Sequence, residues 1–144
     1  MIRIICIGKL KEQYLVNMVE DYLKRINKYH KIELIEIIDS NPKEEGAKIL
    51  SKLKDKSYKV ALSIKGKKLS SLEFSKFIED NLMNYSNIDF IIGGSDGLSK
   101  EVLDNVNCEL SFSDLTFPHG LFRAILLEQI YRGFKIVNNE TYHK

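Results

Sequence analysis

Residues Ile91–Ser99 read IIGGSDGLS, and this stretch decides the fold of the chain. It starts inside an apolar run and ends in a serine suited to start a helix, which predicts a strand, a tight turn and a helix. Glycines in such a turn adopt positive φ and let backbone amides approach a ligand closely. The motif is neither GxGxxG nor a P-loop, so a plain strand–helix turn explains it as well as a ligand-binding loop does.

Apolar runs alternate with helix-period segments on both sides of this turn. The predicted strands are Ile2–Ile7, Lys31–Ile38, Val60–Ile64, Ile88–Ile92 and Glu109–Phe112. The predicted helices span Lys11–Lys28, Asn41–Lys54 and Ser70–Met83, with a short helix from about Ser99 and a closing helix from His119 to Lys135. Strands and helices that alternate at this spacing predict an α/β fold with an open, mostly parallel sheet and helices on both faces.

Length and composition place the chain among compact soluble proteins. Its 144 residues suffice for one domain, residues 1–144, and are too few for two. A formal net charge of +2 neither requires nor excludes nucleic acid, so any contact with RNA must use a local basic patch. No apolar stretch reaches the roughly 20 residues of a membrane span, and no signal-peptide pattern opens the chain. We therefore expect a cytoplasmic protein with no membrane partner.

The two cysteines carry no metal or disulfide signal. Cys6 and Cys108 are isolated in sequence, and neither belongs to a CxxC or Cys/His cluster. A zinc site or a disulfide framework is therefore not expected, and no metal is predicted. Cys6 lies in an apolar run and is predicted to be a small core residue.

Two further segments follow predicted strand ends. Lys65–Lys68 reads KGKK, and its lysines suit either phosphate contacts or a solvated loop. Leu110–Gly120 reads LSFSDLTFPHG and mixes apolar residues with Ser, Asp and Pro, which disfavour a long regular element. Such a segment presents free backbone groups beside hydrophobic side chains, a surface that suits an adenine ring. Because ligands bind beyond the carboxyl ends of strands in open sheets, this segment and the glycine turn predict one site.

The closing helix carries an apolar line and a charged pair. Phe122, Leu126, Ile130 and Phe134 recur at helical spacing and fit either core packing or a subunit contact. Glu128 precedes Arg132 by four residues, which is the spacing of a helix-surface ion pair.

Four motifs follow one another in the last third of the chain: Gly93-Gly94-x-x-Gly97-Leu98, Thr116-x-Pro118-His119, Glu128-Gln129-x-Tyr131-Arg132 and Tyr142-His143-Lys144. In this order they resemble the RlmH family of ribosomal RNA large-subunit methyltransferases, part of the SPOUT (α/β-knot) superfamily. The opening strand, the length and the short tail extend the resemblance over essentially the whole chain.

The resemblance implies a fold, a reaction and partners. The fold would include a C-terminal trefoil knot, which sequence physics alone does not suggest because threaded chains are rare. The methyl donor would be S-adenosyl-L-methionine, and the acceptor N3 of pseudouridine 1915 in helix 69 of 23S rRNA on the assembled 70S ribosome. The protein would act as a homodimer, with one subunit's cofactor loops beside the other's tail, and DNA is not an expected partner.

The resemblance also assigns residues to the site. The expected cofactor-binding residues are Leu62, Gly93, Gly94, Phe112, Ser113, Asp114, Leu115, Thr116 and Phe117. The residues expected to handle the substrate are His119, Arg123, Tyr142 and His143. The acceptor imide must lose a proton, yet the sequence contains no unambiguous base. Stacking on Tyr142 would help to hold a base flipped out of its hairpin loop.

Three alternative functions remain open at this point. One is a SPOUT methyltransferase that acts on another RNA such as tRNA. The second is a non-enzymatic RNA- or nucleotide-binding α/β module, in which the glycine turn holds a phosphate. The third is a structural adaptor whose loops bind no small molecule.

Overall fold

A computed structural model describes residues 1–144 of the chain. In chain order the elements are β1 (Ile2–Ile7), α1 (Gln13–Ile26), β2 (Ile32–Ile37), α2 (Pro42–Lys52), β3 (Ser57–Lys68), α3 (Ser71–Asn84), β4 (Asn87–Ile92), α4 (Lys100–Asp104), β5 (Cys108–Ser111) and α5 (His119–Val137). Every predicted strand and helix is present, with ends that differ from the predicted ones by a few residues in most cases.

The five strands form one sheet in the order β2-β1-β4-β3-β5. All four pairings are parallel, so the prediction of an α/β fold with a mostly parallel sheet is confirmed. The carboxyl ends of the strands therefore share one edge of the sheet, here called the carboxyl edge, and their starts share the amino edge.

Alternation along the strands divides the core into two layers. In β1, Ile2, Ile4 and Cys6 belong to the larger cluster, which packs against α1, α3 and α5, whereas Ile5 and Ile7 belong to the smaller cluster under α2 and α4. Side chains of a strand point alternately to opposite faces, and helices on both faces bury every residue of β1. Cys6 is a core residue, as predicted.

The helices that follow neighbouring strands leave the sheet on opposite faces. After β1 the chain turns toward the face of α1, and after β4 toward the face of α4. The same change of face occurs between β4 and β3, because α3 lies on the larger layer. Open sheets leave crevices at such switch points, at the carboxyl ends of the strands. Crevices are therefore expected on each side of the end of β4, and also between the ends of β2 and β1, since α2 and α1 lie on opposite faces.

Three helices start with a side-chain cap and two do not. Asn41 accepts a hydrogen bond from the amide of Glu44, Ser70 and Glu73 form a reciprocal capping box, and Ser99 accepts from Val102. The sequence predicted all three starts, and such caps stabilise a helix by about 1 kcal/mol. The helices α1 and α5 begin without any side-chain cap.

The third strand is longer than predicted. Lys65–Lys68 was expected to follow the strand end as a loop, yet Lys67 and Lys68 pair with Leu110 and Ser111 of β5. Leu62 also pairs with Leu110, so the residues between Leu62 and Lys67 bulge out of the ladder. A Cβ at Gly66 would lie 2.5 Å from the carbonyl carbon of Leu110. Close backbone approach, rather than flexibility, explains the glycine.

A buried ion pair closes the amino edge. Arg3 and Asp89 are register partners on β1 and β4, and their side chains are 4% and 0% exposed. The guanidinium binds the carboxylate through two hydrogen bonds of 2.8 and 2.7 Å and also donates to the carbonyl of Lys52. Buried charges are tolerated when they are paired in this bidentate manner.

Candidate functional site

The glycine turn closes tightly at the end of β4. The amide of Gly97 donates to the carbonyl of Gly94 at 3.0 Å, and Gly97 has a φ of +77°, which favours glycine. A Cβ at Gly93 would lie 2.9 Å from the carbonyl carbon of Gly97 and 3.0 Å from Cγ of Leu98. The glycines therefore let the chain fold back on itself without a side chain in the way.

A cleft of about 590 Å³ opens where this turn faces the ends of β3 and β5. We call it the glycine cleft; its lining includes Leu62, Ser63, Gly93, Gly94, Thr116 and Phe122. Two carboxylates, Asp96 and Glu109, also border it. The volume lies within the range of small-molecule and cofactor sites, roughly 300–1,000 Å³.

The segment after β5 is held by aromatic packing and by its own polar groups. The ring of Phe112 packs edge-on against Phe74 and Phe122, with ring centroids 5.4 Å apart in both pairs. The Ser113 hydroxyl accepts a hydrogen bond from the amide of Leu115 at 2.9 Å. Leu115 itself is 74% exposed. Phe112 therefore anchors the segment, while its tip stays open to solvent.

A second cleft of about 190 Å³ lies beneath this segment and is called the loop cleft. Leu62, Ser63, Thr116 and Phe122 line both clefts, so the glycine turn and the segment after β5 meet along one wall. Of these two clefts, only the loop cleft is lined by Phe112, Ser113, Leu115 and Phe117. Asp114 lines neither cleft and pairs with Lys68 instead. The structure thus brings eight of the nine expected cofactor residues to two adjoining clefts.

A third opening of about 320 Å³ lies between the ends of β1 and β4 and is called the β1 crevice. His119 and Arg123 of α5 line it together with Gly94 and Ser95 of the glycine turn. Nε2 of His119 lies 2.6 Å from the carbonyl oxygen of Ile7. A carbonyl only accepts hydrogen bonds, so Nε2 carries the proton and Nδ1 of the neutral ring is free to accept.

Arg123 is 1% exposed, which changes the role expected for it. One terminal nitrogen donates to Glu36 at 2.7 Å, and the other donates to the carbonyls of Ile7 and Gly8. Direct contact with a substrate ring would require the guanidinium to leave these partners. We therefore interpret Arg123 as a positioning residue that fixes the end of β1 beside α5.

Tyr142 and His143 contact the middle and the second half of α5 and line neither cleft. The Tyr142 hydroxyl donates to Glu128 at 2.8 Å, and its ring lies under the Arg132 guanidinium at 4.8 Å. Arg132 also contacts Nδ1 of His143 at 3.0 Å. Because α5 rises about 1.5 Å per residue, residues 119 and 132 are about 20 Å apart along it. Within one chain, the tail and the clefts do not form a single site.

The tail cluster keeps the Tyr142 phenol neutral. Burial is the main cause that raises the pKa of Tyr142 above its ordinary value, and the hydrogen bond to Glu128 adds to it. The Glu128–Arg132 pair, predicted as a helix-surface ion pair, is 2.7 Å long and partly buried under this ring. The apolar line of Phe122, Leu126, Ile130 and Phe134 belongs to or packs against the larger core layer.

Sequence reasoning missed several residues of these sites. Glu36, the carboxylate partner of Arg123, lies 87 positions away on β2, and no local pattern joins the two. Asp96 lies inside the glycine motif itself, and Glu109 opens the fifth predicted strand, so their strand-end positions were the available signal. Lys9 and Lys11 border the β1 crevice and follow the first strand in the same way.

Two features that other classes of protein use are absent from residues 1–144. No helix combines the length and the apolar character needed to cross a bilayer. No group of three or more His, Cys, Asp or Glu side chains is placed to hold a metal ion.

Known proteins that resemble this chain match it over nearly its whole length. A family model described as "Predicted SPOUT methyltransferase" matches residues 1–143. The chain is 50% identical to Ribosomal RNA large subunit methyltransferase H of Clostridium acetobutylicum and 47% identical to the protein of that name in Enterococcus faecalis, over 99% of each chain. A solved structure of a probable methylase family protein from Haemophilus influenzae Rd KW20 aligns with a TM-score of 0.60 at 11% identity. That alignment covers 99% of this chain and 70% of the other, and it speaks for the fold alone.

Proposed function

Since this chain belongs to the RlmH family of SPOUT methyltransferases, we propose that it methylates N3 of pseudouridine 1915 in helix 69 of 23S rRNA. The methyl donor is S-adenosyl-L-methionine, and the acceptor is the assembled 70S ribosome in the cytoplasm. We further propose that residues 1–144 act as one domain with a C-terminal trefoil knot.

One observation carries the proposal. The glycine turn and the segment after β5, which are 18 positions apart between Gly94 and Phe112, lie along one wall formed by Leu62, Thr116 and Phe122. A strand-end cleft between two irregular segments is the arrangement in which open α/β sheets bind nucleosides. In a member of this methyltransferase family, that cleft is the natural place for the methyl donor.

The residues of the glycine cleft fit S-adenosylmethionine. Its apolar wall of Leu62, Ile92 and Leu98 suits an adenine ring, and the backbone of the glycine turn is accessible at close range. Asp96 and Glu109 offer oxygens that accept hydrogen bonds from ribose hydroxyls and attract a sulfonium cation. When bound, the cofactor supplies an activated methyl group. The protein's contribution is alignment of the acceptor and exclusion of water.

His119 is placed to manage the acceptor's proton. It lines both the loop cleft and the β1 crevice, so it faces the cofactor segment on one side and open space on the other. Its bond to the carbonyl of Ile7 fixes the tautomer and leaves Nδ1 to accept the proton of an imide N–H. Arg123 holds the same carbonyl at 2.8 Å and thereby fixes the position of His119.

The tail acts across a homodimer in this proposal. Tyr142 and His143 line neither cleft of their own chain, and the closed cluster with Glu128 and Arg132 presents them in a fixed arrangement. A second copy would therefore have to bring its tail to the clefts of the first. Tyr142 then offers a stacking surface for an extruded base.

Substitution at Thr116 tests the cofactor site. Thr116 is exposed, lines both clefts and makes no hydrogen bond, so Thr116→Arg should fill the site without disturbing the fold. We expect at least 100-fold weaker binding of S-adenosylmethionine in isothermal titration, with unchanged thermal unfolding. Ser86→Arg, at an exposed position of the amino edge, is the matched control and should bind like the unmodified protein. Equal affinities of all three proteins would remove the clefts from the proposal. Gly93→Arg is a poorer test, because its side chain would meet the turn's own backbone.

The substrate is tested by direct product mapping. Unmethylated 70S ribosomes, free 50S subunits and bulk tRNA are incubated with the protein and labelled methyl donor, and helix 69 is mapped by mass spectrometry. We expect one methyl group on pseudouridine 1915 in the 70S sample. Methylation of tRNA alone would identify a different SPOUT substrate. Binding of RNA with no methyl transfer would favour the non-enzymatic module.

A further inference from the structure

We infer that the β1 crevice binds a phosphate of the RNA strand together with its ribose, through Lys9, Lys11 and the amino ends of α1 and α5. The inference rests on the proposed function, because it assigns to a second opening the part of the substrate that is not methylated.

Two helices without a side-chain cap begin at this crevice. The backbone amides of Gln13 and Tyr14 in α1, and of His119, Gly120 and Leu121 in α5, donate to no group of the chain. Neither helix has an acidic residue in its first turn, whereas α2, α3 and α4 have both a side-chain cap and an acidic residue there. Free amides and the helix dipole give each end about half a positive charge. The two ends together form an anion-binding arrangement, which the carboxylate of Glu12, the residue directly before α1, offsets in part.

A buried polar group with one unpaired donor also lines this crevice. Arg123 lines the crevice and is almost completely buried, yet its Nε has no hydrogen-bond partner. Buried donors are usually satisfied by protein, water or ligand, so an unpaired one requires an explanation. The guanidinium adds a fixed positive group at the wall of the crevice, and its charge is shared with Glu36 at only one of its nitrogens.

The side chains at the rim select for a nucleotide rather than a bare anion. Lys9 and Lys11 are exposed and form no ion pair, so both are available for phosphate oxygens. Glu12 and Asp39 also border the crevice and would repel an isolated phosphate. Carboxylates accept hydrogen bonds from hydroxyl groups, and a ribose places its 2′-hydroxyl near the phosphate. A phosphate and sugar together satisfy both kinds of side chain.

The position of the crevice fits a strand that leads to the methylation site. Gly94 and Ser95 border both the β1 crevice and the glycine cleft, and His119 borders both the crevice and the loop cleft. A ribonucleotide held in the crevice is therefore a direct neighbour of the site proposed for the methyl donor. Phosphate contacts of this kind fix the register of a strand, while the reacting base is recognised elsewhere.

Paired lysine substitutions test the inference by RNA binding. Fluorescence anisotropy with a labelled helix 69 hairpin compares the unmodified protein, Lys9→Ala with Lys11→Ala, and the control Lys54→Ala with Lys56→Ala. The control lysines are exposed, form no ion pair and lie at the amino edge, before β3. We expect at least tenfold weaker binding for the first double variant. We also expect a salt-dependence slope reduced by about 1.4–1.8 for two lost phosphate contacts. Circular dichroism should show equal melting of all three proteins.

The outcomes separate this inference from the proposed function. If the two double variants bind the hairpin equally, the crevice does not hold the strand, whatever the methylation assay shows. If the unmodified protein transfers no methyl group but the Lys9/Lys11 variant still loses RNA affinity, the crevice stands and the proposed function fails. In a second arm, NMR follows the amides of Gly8 and Gly120 during titration with uridine 5′-monophosphate or inorganic phosphate. Larger shifts with the nucleotide support the inference, and equal shifts would reduce the crevice to a simple anion site and overturn it.

Discussion

Each edge of the sheet contains a buried arginine, and the two arginines differ in how completely they are paired. At the amino edge, Arg3 meets Asp89 in a bidentate pair, and both side chains are almost inaccessible. At the carboxyl edge, Arg123 is equally buried, but its carboxylate partner Glu36 is 33% exposed and its Nε is unpaired. The first arginine is neutralised within the protein, so it stabilises the fold. The second keeps one unpaired donor at the wall of a crevice, and in our proposal it serves the site there.

The helix starts and the loops also differ between the carboxyl edge and the amino edge. The glycine cleft, the loop cleft and the β1 crevice all open at the carboxyl edge, where the uncapped ends of α1 and α5 also lie. Near the amino edge, the tail residue Glu140 binds Tyr29 and Lys135, while Tyr142 binds Glu128 midway along α5. The uncapped helix starts therefore distinguish the carboxyl edge better than buried unpaired atoms do, because Nε2 of His30 and Oγ of Ser57 are also unpaired at the amino edge.

The largest effect is expected from removing one partner of the buried ion pair at the amino edge. Asp89→Ala leaves Arg3 as a buried charge without a partner and should lower the free energy of unfolding by about 3–5 kcal/mol. Urea denaturation measures the change. The double variant Arg3→Met with Asp89→Leu removes both charges and should recover most of the stability, since apolar replacements of a buried pair are often neutral. If Asp89→Ala lowers the free energy of unfolding by less than about 1 kcal/mol, solvent reaches the pair. The two edges would then not differ in the way described above.

An intermediate effect is expected from removing the tail. Deletion of Tyr142–Lys144 should reduce methyl transfer at least 100-fold, equivalent to about 2.7 kcal/mol of transition-state stabilisation. Cofactor affinity should stay within about twofold, because no residue of the tail lines either cleft of its own chain. Methyl-transfer assays and isothermal titration measure the two quantities.

A smaller change, at Tyr142 alone, separates the role of its hydroxyl bond from the role of its ring in stacking. Tyr142→Phe removes only the hydroxyl bond to Glu128 and keeps the ring over which Arg132 lies. We expect it to retain more activity than the deletion. Full activity of the deleted protein would exclude any catalytic part for the tail, whereas loss of cofactor binding would place the tail at the clefts of its own chain.

The smallest effect concerns His30, one of two residues at the amino edge with a buried unpaired side-chain atom. Its Nε2 is buried without a partner, and burial, with a lesser contribution from the N-terminal amine, lowers the pKa of His30 from the ordinary 6.5. As the pH falls below about 6.5, the unfolded chain binds this proton before the folded chain does, so stability declines. His30→Phe keeps the stacking on Phe134 and removes the titration. We expect the stability difference between the two proteins to be constant above pH 7 and to shift toward His30→Phe between pH 6.5 and 5 in thermal unfolding. A difference independent of pH would mean that the imidazole titrates normally in the folded state.

Much of the fold was predictable because local signals and burial agree. The continuous apolar run of β1 and the signals at Asn41 and Ser70 each predict the element that is present. The end of β3 was not predictable in this way. Glycine and lysine disfavour strands in isolation, and Lys67 joins the sheet only because β5 lies beside it.

The site was predictable to the extent that it depends on strand ends. The glycine turn and the segment after β5 follow strands, so parallel strands bring them to one edge. The burial of Arg123 was not predictable, because its partners Glu36, Ile7 and Gly8 are more than 80 positions away. Nor does the motif around Tyr142 reveal that a helix of 19 residues separates the tail from the clefts.

The bulge of β3 forms part of the wall of the glycine cleft, and its length can change without a change in the sheet. Leu62 and Lys67 both pair with Leu110, so the chain between them leaves the ladder and returns to the same rung. Three of the residues in between, Ser63, Ile64 and Lys65, border the glycine cleft. Insertions or deletions at this point would reshape the pocket while the register on either side stays fixed. Relatives with different ligand preferences are therefore expected to diverge in length here before they diverge in the sheet itself.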